Sequence, residues 1–129
     1  MADNVQIIKD LYTAFGNGDM AGILSHMAPN VVWVTEGPSE IPFTGTLFGP
    51  KEVEYFFDTL ARTTTDGRLD MTVFVAQGDR VASFGRYAAT VNGNRFNTPV
   101  AHLFTVQGGK VTEYRNYINT AAASAAYLG

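Results

Sequence analysis

Three turn signals in the C-terminal half constrain this chain more than anything else in it. They are Gly78-Asp79, Asn92-Gly93 and Gly108-Gly109. Asn-Gly is the strongest of them, because both residues accept the positive φ of a two-residue hairpin. The runs between the turns read as strands. Leu69, Met71, Val73 and Val75 alternate with Asp70 and Thr72, and Val81–Val91, Asn94–Gln107 and Lys110–Ile118 follow. Three successive hairpins predict an antiparallel meander. Both parities of Arg95–Val106 are rather apolar, with Phe96, Val100, Phe104 and Val106 on one and Pro99, Ala101 and Leu103 on the other. A sheet that is apolar on both faces needs two covers.

The N-terminal half supplies one cover. Ile8, Leu11, Tyr12 and Phe15 fall at i, i+3, i+4 and i+7, the stripe of an amphipathic helix. Asp3 and Gln6 form a capping-box-like pair, and Gly16-Asn17-Gly18 stops the helix. Asp19 caps a second helix carrying Met20, Ile23, Leu24 and Met27, which Pro29-Asn30 ends. Val31–Glu36 reads as a strand. Gly37–Gly49 is a long loop of the kind that forms a lid or rim. Gly49-Pro50 opens a third helix striped by Val53, Phe56, Phe57 and Leu60. The Ala-rich tail from Thr120 to Tyr127 suits a last helical turn or two. The order is α-α-β-α-β-β-β-β, an α+β domain spanning residues 1–129. Three helices cover one sheet face, and a two-fold partner is the natural cover for the other.

Composition removes several function classes. The net charge is −3 and no Lys/Arg run exceeds one residue, so nucleic acid and anionic membranes find no footprint. The chain has no cysteine, which excludes disulfides, thiolate metal sites and Cys nucleophiles. Met1-Ala2-Asp3-Asn4 lacks the basic and apolar regions of a secretory signal, and a cytoplasmic location is expected. His26 and His102 lie far apart and show no ligand spacing, so no metal site and no cofactor is expected.

The candidates for chemistry are few. Glu36, at the end of the first strand beside the Pro/Gly loop, is a candidate general base. His102, mid-strand among apolar residues, is a candidate acid or base, or else a packing or interface residue. Trp33, Phe57, Tyr87, Tyr114 and Ile118 suit the walls of a pocket for a flat or apolar ligand. Tyr12 and Asn116 are the polar groups suited to positioning a ligand oxygen.

Several runs resemble the SnoaL-like, ketosteroid-isomerase-related branch of the NTF2-like superfamily. They are Leu11-Tyr12-Thr13-Ala14-Phe15 with Gly18-Asp19-Met20, Ala28-Pro29-Asn30-Val31-Val32-Trp33, and Ile41-Pro42-Phe43-Thr44-Gly45-Thr46. Pro99-Val100-Ala101-His102-Leu103-Phe104, Gly109-Lys110-Val111 and Arg115-Asn116-Tyr117-Ile118-Asn119-Thr120-Ala121 continue the likeness. It implies a cone-shaped fold with a curved sheet, an internal cavity and a homodimer. The superfamily holds isomerases, polyketide cyclases, epoxide hydrolases, dehydratases and binders without catalysis, so the fold does not name the function.

Steroid isomerases of this kind use an Asp base and an oxyanion hole of a Tyr and a protonated Asp. The resemblance puts Thr35 at the base, Ala101 at the protonated acid and Leu11 nearest the tyrosine, with Tyr12 about 100° further round the helix. It puts asparagines, Asn116 and Asn119, where related enzymes often carry an acid. It turns Ala101, Tyr114, Asn116 and Ile118 toward the cavity and His102 outward, unless a bulge flips the parity. On that assignment Asn116→Ala weakens ligand binding more than His102→Ala.

Two readings remain open. The first is a cavity for a small, largely apolar, oxygen-bearing molecule, with proton-transfer chemistry through Glu36 or His102 if the protein is an enzyme. The second is a non-catalytic ligand-binding or protein-interaction module that uses the outer sheet face.

Overall fold

The computed structural model describes residues 3–128. Helix α1 runs Asn4–Gly16 and buries Ile8, Leu11 and Ala14, while Tyr12 and Phe15 of the expected stripe are partly buried against the core. The Asp3 carboxylate accepts the Val5 N–H at 3.0 Å and caps it. Gln6 instead donates forward to Asp10 at 2.8 Å, so only half of the capping box forms. Asp19 caps helix α2, Met20–Ser25, by accepting from the Gly22 N–H.

The second helix ends sooner than its pattern predicts. Met27 belongs to strand β1, Met27–Thr35. Pro29 and Asn30 do not terminate a helix. They sit in a register break between Met27 and Val32, where a proline's missing N–H costs no ladder bond. The long loop is also shorter than expected, because Gly45–Phe48 forms strand β2, an antiparallel edge on β1.

Helix α3, Gly49–Thr63, buries Val53, Phe56 and Thr59. The meander then follows as β3 (Thr65–Gln77), β4 (Arg80–Val91), β5 (Asn94–Gln107) and β6 (Lys110–Ile118). Helix α4, Thr120–Leu128, closes the chain and packs on β5 and β4. The α+β architecture stands, with a fourth helix added to the cover.

The six strands lie in the order β2-β1-β6-β5-β4-β3. The sheet is mixed rather than purely antiparallel, because β1 pairs parallel with β6. Helix α3 carries the chain from β2 at one edge to β3 at the other, and the meander returns to β1 from that side. No helix among the described residues is long and apolar enough to cross a membrane.

One local irregularity redistributes the apolar stripe of β3. Its register against β4 shifts between Met71 and Val73. Such a bulge reverses the parity of everything after it. Leu69 and Met71 stay half-buried, and Phe74 takes the next inward place against the core. Val73 and Val75, expected inward, are 49% and 55% exposed.

Candidate functional site

On the inner face of the sheet, side chains fall into rows fixed by the ladder registers. Residues paired across adjacent strands point to the same side. One row reads Trp33, Tyr114, Phe104 and Val81 across β1, β6, β5 and β4. It is a wall of aromatic and aliphatic groups. The Trp33 and Tyr114 rings stack at 3.8 Å, and Phe56 and Phe57 of α3 set their edges against Trp33 at 5.6 Å.

The neighbouring row is different in kind. It reads Thr35, Asn116, His102 and Ser83. Four polar side chains thus cross an otherwise apolar concave face in a line. Tyr12 reaches down from α1 onto the end of that line. Its hydroxyl lies 2.6 Å from Ser83 Oγ and 2.6 Å from His102 Nδ1.

Above these rows lies a cavity of about 60 Å³. Tyr12, Trp33, Phe57, Tyr87, His102, Tyr114, Asn116 and Ile118 all line it, and none of its lining residues carries a formal charge. The long loop contributes Phe43 to the lining. A larger space of about 230 Å³ adjoins it on the side of α2 and the start of β3. Phe15, Phe57, Leu60 and Tyr87 line both spaces and form the wall between them.

Burial keeps the cavity electrically neutral. It pushes the His102 ring down to about 3. Burial also raises the Tyr12 hydroxyl far above the ordinary phenol value, with the Ser83 hydrogen bond opposing weakly. Tyr87 is pushed up to about 12, and Tyr114 also rises, in both cases chiefly by burial. Three buried polar atoms on the two rows have no protein partner: Trp33 Nε1, Thr35 Oγ1 and Asn116 Oδ1. A buried polar atom left alone costs about 1–3 kcal/mol, so such a group calls for a partner.

The SnoaL-like domain family matches residues 8–114. The chain belongs to this family. A search of curated proteins returns no significant match. Solved structures agree on the fold. An NTF2-like protein of unknown function from Burkholderia pseudomallei K96243 is 26% identical, with a TM-score of 0.93 and all of both chains covered. An NTF2-like protein from Burkholderia xenovorans LB400 is 31% identical over 96% of this chain and 95% of that one, with a TM-score of 0.86. TerC, co-crystallised with polyporic acid, is 29% identical over 98% of each chain, with a TM-score of 0.89.

Within this SnoaL-like chain, several site assignments need correction. His102 faces the cavity and Ala101 faces away, the reverse of the expected parity. The alternation along β5 is regular from Phe96 to Val106, and its inward residues are the even-numbered ones. Thr35 is fully buried on the inner face but stands outside the cavity lining. Glu36 is exposed beyond the end of β1 and also stands outside the lining. Asn119 caps α4, accepting from the Ala121 and Ala122 N–H groups. Leu11 and Tyr12 both reach the cavity, since α1 lies across the concave face. Ser83 was not anticipated. Its signal was a hydroxyl on the apolar parity of Val81, Tyr87 and Val91.

Proposed function

We propose that this SnoaL-like chain binds a small, uncharged, largely apolar molecule that carries a carbonyl or hydroxyl oxygen. The observation that carries this reading is the polar row on an apolar wall. Trp33 Nε1 offers an unpaired donor, and Asn116 Oδ1 an unpaired acceptor. A ligand oxygen that accepts from the indole and a hydroxyl that donates to the amide answer both. With no charged residue in the lining, an ionised ligand would lose its hydration without compensation. TerC, with polyporic acid, is a precedent for a similar fold meeting a small organic molecule.

If the protein is an enzyme, its chemistry is proton transfer or polarisation at that oxygen, with His102 as the group that meets it. Isomerisation, cyclisation and hydrolysis all fit that description. Saturation-transfer NMR with acetophenone, phenol and benzoate tests the binding. Acetophenone and phenol are expected to bind and benzoate not to, and Asn116→Ala is expected to weaken phenol by about three- to tenfold. Preference for benzoate, or no contact with either neutral probe, would overturn the reading.

A second property rests on the outer face. Val73, Phe84, Ala101 and Tyr117 form a row across the four strands β3, β4, β5 and β6. Phe84 is 43% and Tyr117 56% exposed, and Val75 and Leu103 extend the patch one row on. An apolar patch centred on strands that are also apolar within favours a second copy of the chain as its cover. We infer a homodimer through this face.

A further inference from the structure

Tyr12 Oη has one proton and two hydrogen-bonding neighbours at equal distance, Ser83 Oγ and His102 Nδ1. Among the described residues Tyr12 Oη has no third partner to take its proton, so it must donate to one neighbour and accept from the other, which leaves two directions for the chain of three groups. In the first, Ser83 donates to Tyr12 and Tyr12 donates to His102 Nδ1, which leaves the ring proton on Nε2. In the second, His102 Nδ1–H donates to Tyr12 and Tyr12 donates to Ser83, which leaves the Ser83 hydroxyl proton without an acceptor.

The surroundings decide between them. Ser83 is fully buried and does not line the cavity, and among the described residues Tyr12 is the partner of its hydroxyl. The second direction therefore strands a donor where no ligand or water can reach it. The first places the spare proton on His102, whose ring lines the cavity. An orphaned buried donor disfavours its arrangement by about fivefold or more.

We propose that Ser83 and Tyr12 are positioning residues that fix His102 as a neutral Nε2–H tautomer, making it a hydrogen-bond donor to a ligand carbonyl or enol oxygen rather than a base. This rests on the cavity reading above and refines it to a ligand that presents an acceptor at His102. A neutral imidazole N–H polarises a carbonyl without needing a charge in the site. The ring stays neutral because no carboxylate lines the cavity and because burial opposes its protonation. Trp33 Nε1–H is a second donor on the same concave face, still unpaired. Two neutral donors suit an oxygen that gains negative charge during a reaction, as in enolisation.

The test needs no ligand. Nitrogen-15 NMR of histidine-labelled protein reads the tautomer directly, and His26→Gln leaves His102 as the remaining histidine. The native chain is expected to show Nε2 protonated and Nδ1 unprotonated, in at least about fivefold excess, unchanged from pH 8 to pH 5. Ser83→Ala removes the penalty on the reverse direction, so the excess is expected to fall toward a mixture of tautomers. Tyr12→Phe is expected to release it altogether. A protonated Nδ1 in the native protein, or an excess that survives both substitutions, would overturn the proposal. These outcomes are separate from the probe titrations. If no neutral probe binds, the cavity reading fails while the tautomer result stands by itself.

Discussion

His102 is a neutral ring in a place where protonation is expensive, and that makes stability depend on pH in a defined direction. Its folded pKa, about 3, lies below the ordinary histidine value. Between the two, the unfolded chain takes up a proton and the folded chain does not. The contribution is therefore complete above about pH 6.5 and is lost as pH falls toward 3. Urea midpoints measured between pH 7 and pH 5 are expected to decline with a limiting slope of about 1.4 kcal/mol per pH unit. His102→Asn should flatten that part of the curve, and an equally steep decline in the variant would remove His102 as its cause. The tautomer, the pKa and the inward orientation could not be read from the sequence. An apolar stretch such as Val100–Phe104 fixes that a strand alternates, but with both parities apolar it leaves open which residues face in.

At the scale of elements, what is local was legible and what is paired at a distance was not. The stripes of α1 and α3, the Asp3 and Asp19 caps and the three hairpin turns depend on residues a few positions apart. The parity change in β3 depends on β4. Gly85 stands opposite the bulge, and a Cβ placed on it would collide with Asp70 O and lie 2.7 Å from Met71 Cα. The two backbones approach there too closely for any side chain. Gly85→Ala must push β3 away and disturb the register that turns Phe74 inward. It is expected to destabilise the protein by about 3 kcal/mol, at the upper end for overpacking, as read from denaturant unfolding. A near-neutral effect would mean that the bulge is adaptable and not imposed by the pair. The short edge strand β2 and the early end of α2 were hidden for the same reason. Thr46 and Leu47 are strand residues because Val34 and Trp33 are their partners.

For the whole molecule, the outer row of Val73, Phe84, Ala101 and Tyr117 predicts the state of assembly. Sedimentation is expected to show a dimer, and Phe84→Glu, which sets a carboxylate in the middle of the patch, is expected to yield monomer with the cavity intact. A native monomer would leave the patch without the cover inferred for it. Family, helical cover and cavity were all within reach of the sequence, because order and spacing persist where single residues drift. The parallel join of β1 to β6 was out of reach, since no local pattern announces which edge a returning meander will meet.

That join also sets an order of events. Trp33 and Tyr114 stack across it, one from the first strand and one from the last. Contacts so distant along the chain are expected to form late, after the entropy of closing the intervening loop has been met. The cavity is thus expected to be completed last, with its aromatic wall open to solvent until β6 arrives. Trp33 is the only tryptophan, so its fluorescence reports this closure. In stopped-flow refolding it should reach its native value in the slowest phase, behind the far-ultraviolet signal of the helices. A tryptophan signal that led the helical one would reverse the order.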